Sequence, residues 1–159
     1  MPKKSQDAKL SSTSERRLKR LLKSGKLAVL ATHRNGQPYC SLVAFSHTRD
    51  LKYLIFATCR STRKYENLSA DKRVSMLADS RTNRESDFHK AEAVTITGKA
   101  TEVSKGMRNE YLRTYLRKHP ELKGFVSSPN CALLRLKVNK YYLVSRFQEV
   151  MEIRPCQRN

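Results

Sequence analysis

The residues best suited to chemistry lie in one short stretch, Phe56-Ala57-Thr58-Cys59-Arg60-Ser61-Thr62-Arg63-Lys64. Three cations, Arg60, Arg63 and Lys64, fall within five residues and stand beside hydroxyl side chains. The stretch runs from an apolar segment into a predicted helix, whose first backbone N–H groups have no partner within the helix. This combination favours a bound phosphate group. The same residues are also typical of a solvated basic turn, and the stretch alone leaves both interpretations open.

The cysteines and histidines do not have the spacing of a metal site or of a disulfide framework. We therefore expect no bound metal, reduced thiols and a cytoplasmic protein, because the chain also lacks a signal segment or an apolar run of membrane-spanning length. No nucleophile or carboxylate pair is recognisable, so no catalytic residue is assigned. The residues concerned are Cys40, Cys59, Cys131, Cys156, His33, His47, His89 and His119.

Charge is the strongest compositional feature of the chain. Its 33 Lys and Arg residues against 14 Asp and Glu residues give a net charge of +19. Such a protein is expected to bind polyanions weakly and without base specificity. No known nucleic-acid-binding module is recognisable, and a basic surface also attracts phosphorylated small molecules.

The N-terminal part of the sequence divides into a tail and a helix. Residues 1–12 are polar and basic, which predicts a mobile tail. A capping box at Ser12 and Glu15 precedes three leucines at helical spacing, which predicts an amphipathic helix over residues 13–24. Residues 13–159 are expected to form one domain.

Three strands joined by tight turns are predicted next. Lys26–His33 is followed by Asn35-Gly36, the residues that a two-residue hairpin turn prefers. Residues 38–46 and 52–58 then have strand character, so the three segments predict an antiparallel meander.

The second half adds strands and two helices to this meander. The first helix is capped by Ser61 or Thr62 and the second by Ser104. Residues 79–90 form a charged loop, and strands are predicted at 73–78, 93–103, 132–144 and 147–153. The pattern predicts an α+β fold: a small antiparallel β-barrel of six to seven strands with two to three peripheral helices. A barrel of this size has little room inside, so a large cofactor would bind outside it or at a dimer interface.

Several segments together resemble the FMN-binding split barrels related to pyridoxamine 5′-phosphate oxidase. They are the stretch Ala57–Lys64, the strand start Arg73-Val-Ser-Met-Leu77, the strand Val94-Thr-Ile-Thr-Gly98-Lys99-Ala100, and Gln37-Pro38-Tyr39 with the strand after it. The likeness covers roughly residues 26–104, in order and with near-family spacing.

The resemblance implies a fold, a cofactor and a set of contacts. The fold is a split β-barrel and the cofactor is FMN. Ala57 and Thr58 would approach the ribityl chain, and Arg63 and Lys64 would hold the phosphate. One strand would lie along the flavin ring and give backbone hydrogen bonds to its polar edge: Ser41, Leu42, Val43, Ala44, Phe45 and Ser46.

The sequence departs from the oxidase pattern at particular positions. Ser41 and Ser46 stand where the oxidase has Arg and Lys, and Ala93 stands where it has Gln. We expect Arg60 to compensate for the cation missing at Ser41. The chain has no Trp and lacks the oxidase's C-terminal Trp-bearing segment. It is therefore identified as a short relative of the oxidase and not as the oxidase itself.

These observations predict an FMN-dependent oxidoreductase acting on an unidentified small molecule. It is expected to be a homodimer, with the flavin at the interface and touching both chains. Three alternatives stay open: a haem-binding relative with a histidine ligand, a deazaflavin-dependent relative with a similar phosphate site, and a basic nucleic-acid-associated protein without redox activity.

Overall fold

A computed structural model describes residues 12–145 and 149–155 of the chain. The helices are α1 (Ser12–Ser24), α2 (Arg63–Ala70), α3 (Asp87–Lys90), α4 (Arg108–Lys118) and α5 (Lys123–Ser127), with 3₁₀ turns at Lys105–Met107 and Pro120–Leu122. The strands are β1 (Leu27–Arg34), β2 (Gln37–His47), β3 (Tyr53–Cys59), β4 (Arg73–Asp79), β5 (Glu92–Glu102), β6 (Cys131–Ser145) and β7 (Glu149–Ile153).

The strands form one antiparallel sheet that closes on itself. Their order is β3-β2-β1-β4-β5-β6-β7, and β3 also pairs with β6 along its whole length. Six strands therefore make a closed barrel, with β7 added beside β6. The β1–β2 turn is formed by Asn35 and Gly36, both with positive φ, as the sequence predicts.

A helix closes each end of the barrel core. Leu18, Leu21 and Leu22 of α1 are at most 2% exposed and join the core at the end where β1 begins. Leu68 of α2 joins it at the other end. The helical spacing of the three leucines gives α1 one apolar face, so burying that face fixes the helix.

A second apolar cluster lies outside the barrel wall. It is formed by side chains of β3 and β6, such as Ile55 and Leu133, against Tyr111 and Tyr115 of α4 and Val126 of α5. Helices α4 and α5 therefore cover the β3–β6 side. The outer surface of β1 and the adjoining part of β2 keeps exposed apolar side chains, with Leu27 at 57% and Leu42 at 63%.

The α+β antiparallel barrel predicted from the sequence is confirmed. The structure adds two short helices, α3 inside the predicted loop at 79–90 and α5 after Pro120, to the predicted peripheral ones. The predicted tail lies almost wholly outside the described residues, as do residues 147 and 148 of the last predicted strand. Among the helices that the structure describes, none is long and apolar enough to cross a membrane.

Candidate functional site

Strand β2 has a backbone edge that no neighbouring strand covers. Its residues 37–44 pair with β1, but its pairing with β3 is limited to Phe45–His47. Phe45 N–H donates to the carbonyl of Lys26 at 3.3 Å, so the backbone groups of Phe45 face β1. Along a strand, successive residues direct their N–H and C=O groups to opposite sides, so those of Leu42 and Ala44 face away from β1. Beyond Phe56, β3 pairs with β6 alone, and a split opens between β2 and β3.

The start of α2 lies at the end of this split. Thr62 is the N-cap residue but makes no side-chain capping bond, so its hydroxyl leaves the first amides of the helix uncovered. Arg63 is exposed, and its guanidinium lies 5.5 Å from the ring centroid of Tyr39 on β2. Lys64 has no hydrogen-bond or ion-pair partner within residues 12–145 and 149–155. Two cations and free helix amides therefore meet here, which suits an anion.

Hydroxyl groups hold the turn that joins β3 to α2. Thr62 Oγ1 donates to the carbonyl oxygen of Cys59 at 2.8 Å and lies 3.0 Å from Thr58 Oγ1. Thr58 is only 3% exposed. The two threonines fix the turn, and this explains why Thr62 does not cap the helix through its side chain.

Arg60 has a different set of partners from Arg63 and Lys64. Its guanidinium forms an ion pair with Glu102 at the end of β5 and donates to the carbonyl oxygen of Pro129 at 2.9 Å. Tyr65 also donates to Glu102, at 2.9 Å. Since a carboxylate already balances the charge of Arg60, a phosphate contact by this residue stays a prediction.

The residues of the predicted flavin strand lie in two environments. Val43 and Phe45 are buried in the barrel core, whereas Leu42 is exposed. The Oγ atoms of Ser41 and Ser46 are buried and have no hydrogen-bond partner among the residues that the structure describes. Ala44 lies against the cluster under α4, and Ala57 on β3 is buried in that cluster. The strand therefore offers a ligand its backbone edge, while most of its side chains face protein.

A buried polar contact holds α2 against the barrel. Asn67 is 3% exposed, and its Nδ2 donates to Thr32 Oγ1 on β1 at 3.0 Å. Thr32 Oγ1 in turn donates to the carbonyl oxygen of Tyr39 at 3.4 Å. This chain of bonds connects α2, β1 and the start of β2, so it positions both cations relative to the split.

Lys118 at the end of α4 and His119, the next residue, anchor the opposite end of β2. His119 Nε2 donates to the carbonyl oxygen of Phe45 at 2.8 Å. Lys118 Nζ donates to the carbonyl oxygen of Leu22 at 2.7 Å and lies 4.0 Å from the ring centroid of Phe45. Burial lowers the pKa of Lys118 to about 8. Burial also lowers the pKa of His47, and the nearby Lys118 adds to this effect.

The sequence identified some of these residues and missed others. Arg63, Lys64, Thr58 and Ala57 lie around the split and the start of α2, and their contacts with a flavin stay a prediction. Tyr39, Asn67 and Glu102 were not recognised as parts of the site. Tyr39 was visible only as a member of the Gln-Pro-Tyr segment, and the roles of the other two depend on contacts distant in sequence.

Comparison with known proteins decides the family. The profile described as pyridoxamine 5′-phosphate oxidase matches residues 14–145, which is most of the chain. The chain belongs to the pyridoxamine 5′-phosphate oxidase family. The resemblance seen in the sequence is thereby confirmed. No curated protein sequence matches the chain.

Solved structures with the same fold bind different cofactors. A haem-binding protein from Mycobacterium smegmatis is 17% identical with a TM-score of 0.78; the match covers 93% of this chain and 60% of that protein. HutZ, a haem storage protein from Vibrio cholerae, is 19% identical with a TM-score of 0.70, covering 82% and 93%. A FAD-binding protein from Mesorhizobium loti is 20% identical with a TM-score of 0.65, covering 84% and 94%. At these identities the likeness establishes the fold alone.

Proposed function

We propose that this member of the pyridoxamine 5′-phosphate oxidase family binds FMN and acts as a flavin-dependent oxidoreductase. The observation that carries the proposal is the split between β2 and β3, a backbone edge that ends at an uncapped, doubly cationic helix start. An elongated ligand with hydrogen-bonding groups at one end and a phosphate at the other fits these two features.

The start of α2 supports the phosphate end of this ligand. The phosphate of FMN is a dianion, and the α2 amides, Arg63 and Lys64 would neutralise it together. Lys64 has no competing partner among the described residues, and Arg63 has only the face of Tyr39. Binding a phosphate here would break no ion pair recorded for either residue.

The edge of β2 supports the ring end. The amide and carbonyl groups of Leu42 and Ala44 point away from β1. In the split they would form hydrogen bonds with the polar edge of a flavin ring. Thr58 and Ala57 would lie along the ribityl chain that joins the ring to the phosphate. A bound flavin would supply hydride and electron transfer, and the protein would orient the ring and exclude water.

We also propose that a second copy of the chain covers the open side of this site. Leu27 on β1, Leu42 on β2 and Val150 on β7 are 57%, 63% and 62% exposed. Strand register places Val29 and Leu77 beside Leu42 on the same outer surface. The neighbouring apolar side chains of β1, β2 and β4 mark an association surface, from which Val150 is separated by β5 and β6, and a two-fold dimer is the commonest solution. Light scattering should show a dimer for the natural chain and a monomer for Leu42→Asp.

A haem-binding function is the second candidate, because the fold is shared with haem-binding and haem storage proteins. Three of the four histidines already have partners for a ring nitrogen: His33 with Asp71, His47 with Thr48 and His119 with Phe45. His89 lies exposed on α3. Each of these bonds uses one ring nitrogen and leaves the second able to bind iron, so the bonds do not exclude haem. Flavin is the better-supported cofactor because the start of α2 offers a site for its phosphate.

The spectrum of the purified protein separates the candidates. A flavin gives a visible band at about 450 nm and haem gives a Soret band at shorter wavelength, whereas a deazaflavin is distinguished from both by its mass. Mass spectrometry of the released ligand identifies FMN directly. A colourless protein that binds random DNA in a salt-dependent manner would instead favour the nucleic-acid alternative.

The sharper experiment compares FMN with riboflavin, which lacks the phosphate. Arg63→Ala and Lys64→Ala should each weaken FMN binding about ten- to a hundredfold and leave riboflavin binding nearly unchanged, because each removes a charge-assisted hydrogen bond worth roughly 1.5–3 kcal/mol. The control is Arg113→Ala with Arg117→Ala, which removes the same charge from the exposed face of α4. Unchanged FMN affinity in the Arg63→Ala, Lys64→Ala double variant would reject the proposed phosphate site.

A further inference from the structure

Two cysteines lie directly opposite each other where β3 leaves the barrel wall. Cys59 ends β3, Cys131 begins β6, and they are partners in the strand register. Side chains of directly opposed residues in an antiparallel pair lie on the same face. The thiols are therefore neighbours, although 71 residues separate them in sequence between positions 59 and 131.

The hydrogen-bond pattern places this pair in the closer of the two antiparallel arrangements. The next pair, Arg60 and Asn130, is hydrogen-bonded, with Arg60 N–H donating to Asn130 O at 2.9 Å. Alternation makes Cys59–Cys131 a non-hydrogen-bonded pair, in which Cα atoms are typically about 4.5 Å apart. Disulfides span Cα distances of about 4.4–6.8 Å, so a bond needs little backbone movement.

The two thiols differ in their surroundings. Cys131 is 2% exposed and belongs to the cluster under α4 and α5, whereas Cys59 is half-buried beside the turn. Burial raises the pKa of Cys131, and the neighbouring Cys59 raises it further. Cys59 is therefore the thiol that meets an oxidant in solution first, and Cys131 is placed to react with it afterwards.

We propose that Cys59 and Cys131 form a redox-active dithiol that hydrogen peroxide converts to an intramolecular disulfide. The Cys59 thiolate attacks one peroxide oxygen, the O–O bond breaks, and the leaving hydroxide takes up a proton as water. Cys59 is then a sulfenic acid. The sulfur of Cys131 attacks that of Cys59, the S–O bond breaks, and the leaving hydroxide takes the Cys131 proton as a second water. The thiols lose two electrons and the peroxide gains them.

Oxidation would fix the β3–β6 seam beside the proposed phosphate site. The new bond would join the residue before Arg60 to the first residue of β6, which limits how far the Cys59–Thr62 turn can move. The proposal does not depend on a cofactor, because neither thiol needs a ligand for this reaction. Cys40 cannot replace either partner, since it lies opposite Ala31 on an exposed part of β2.

The test uses the full chain with Cys40→Ser and Cys156→Ser, so that only the two proposed partners remain. After treatment with hydrogen peroxide, the intact mass should fall by two hydrogens and a non-reducing peptide map should show the 59–131 link. The melting temperature should rise by roughly 4–16 °C and return on reduction, as for a disulfide that closes a long loop.

Two single variants keep the result interpretable. Cys131→Ala should leave Cys59 as a sulfenic acid that dimedone captures, and Cys59→Ala should leave Cys131 unmodified. Two free thiols after oxidation, crosslinks only between chains, or Cys59 oxidised further without a 59–131 link would each overturn the proposal. These measurements are independent of flavin binding, so failure here does not affect the proposed function.

Discussion

The guanidinium of Arg63 lies over the ring of Tyr39, 5.5 Å from its centroid, and so connects the start of α2 with the start of β2. If the ring orients this cation toward the phosphate, Tyr39→Ala should weaken FMN binding about two- to fivefold, the equivalent of a cation–π contact of roughly 0.5–1 kcal/mol. Titration with FMN and riboflavin measures the effect, and Tyr39→Phe is the control that keeps the ring. Equal losses for the two ligands would show that Tyr39 supports the strand instead.

Replacement of Arg60 tests whether the three cations of the Arg60–Lys64 stretch act together as one phosphate site. Because Glu102 already pairs with its guanidinium, Arg60→Ala should change FMN affinity much less than Arg63→Ala does. Parallel FMN titrations of the two variants measure this directly. A loss equal to that of Arg63→Ala would instead support the expected compensation for the cation missing at Ser41.

Among the polar residues of α2, Asn67 is expected to contribute most to the free energy of unfolding. Asn67→Ala removes the donor to Thr32 Oγ1 in a buried contact and should lower the free energy of unfolding by about 1–3 kcal/mol. Urea unfolding measures this loss. Ser69→Ala, which changes an exposed residue of the same helix, should cost under about 0.5 kcal/mol. Similar values for the two variants would contradict a positioning role for Asn67.

Gly98 lies at the register shift between β5 and β6, where a side chain has no space. A Cβ atom there would lie 2.1 Å from the carbonyl oxygen of Lys137 and 2.8 Å from Leu136 Cδ2. Gly98→Ala should therefore destabilise the fold by at least about 2 kcal/mol, or prevent folding. At Gly124 in α5 an added Cβ meets no atom of the described residues within 4 Å, so Gly124→Ala should be neutral or stabilising. Thermal unfolding of both variants tests the contrast.

Lys118 should give the stability a pH dependence in the alkaline range. Its pKa is about 8 in the folded chain and 10.5 without burial, so the unfolded chain binds more protons between these values. The free energy of unfolding should therefore rise with pH through this window relative to Lys118→Met, which keeps the apolar stem but cannot titrate. Denaturant unfolding of both proteins from pH 7 to 10 gives the difference. Equal slopes would contradict the prediction.

Local patterns in the sequence were sufficient to predict most of the barrel. Alternating apolar residues and the Asn35-Gly36 turn define β1 and β2, because side-chain period and turn chemistry act over a few residues. Helices α3 and α5 were missed since four- and five-residue helices are too short to show helical periodicity. The predicted side-chain cap at Thr62 is not present, because Cys59 O and Thr58 compete for its hydroxyl.

The candidate site was less predictable than the fold. The cations at 63 and 64 are adjacent in sequence, so their joint role was visible there. The partner of Arg60 is Glu102, and α2, β4, α3 and most of β5 separate the two residues in sequence. The uncovered edge of β2 could not be predicted from the sequence either, because it depends on which strand pairs with the second edge of β3.

The pairing of β3 with β6 has a consequence during protein synthesis. β3 obtains its long-range partner only when β6, which ends at Ser145, has left the ribosome. Until then the nascent chain carries open strand edges on β3 and β5, which are templates for pairing with other chains. Fragments that end before Cys131 are therefore expected to aggregate, and a fusion junction placed there would yield insoluble protein. Folding of this domain is therefore a late event that requires the synthesis of β6.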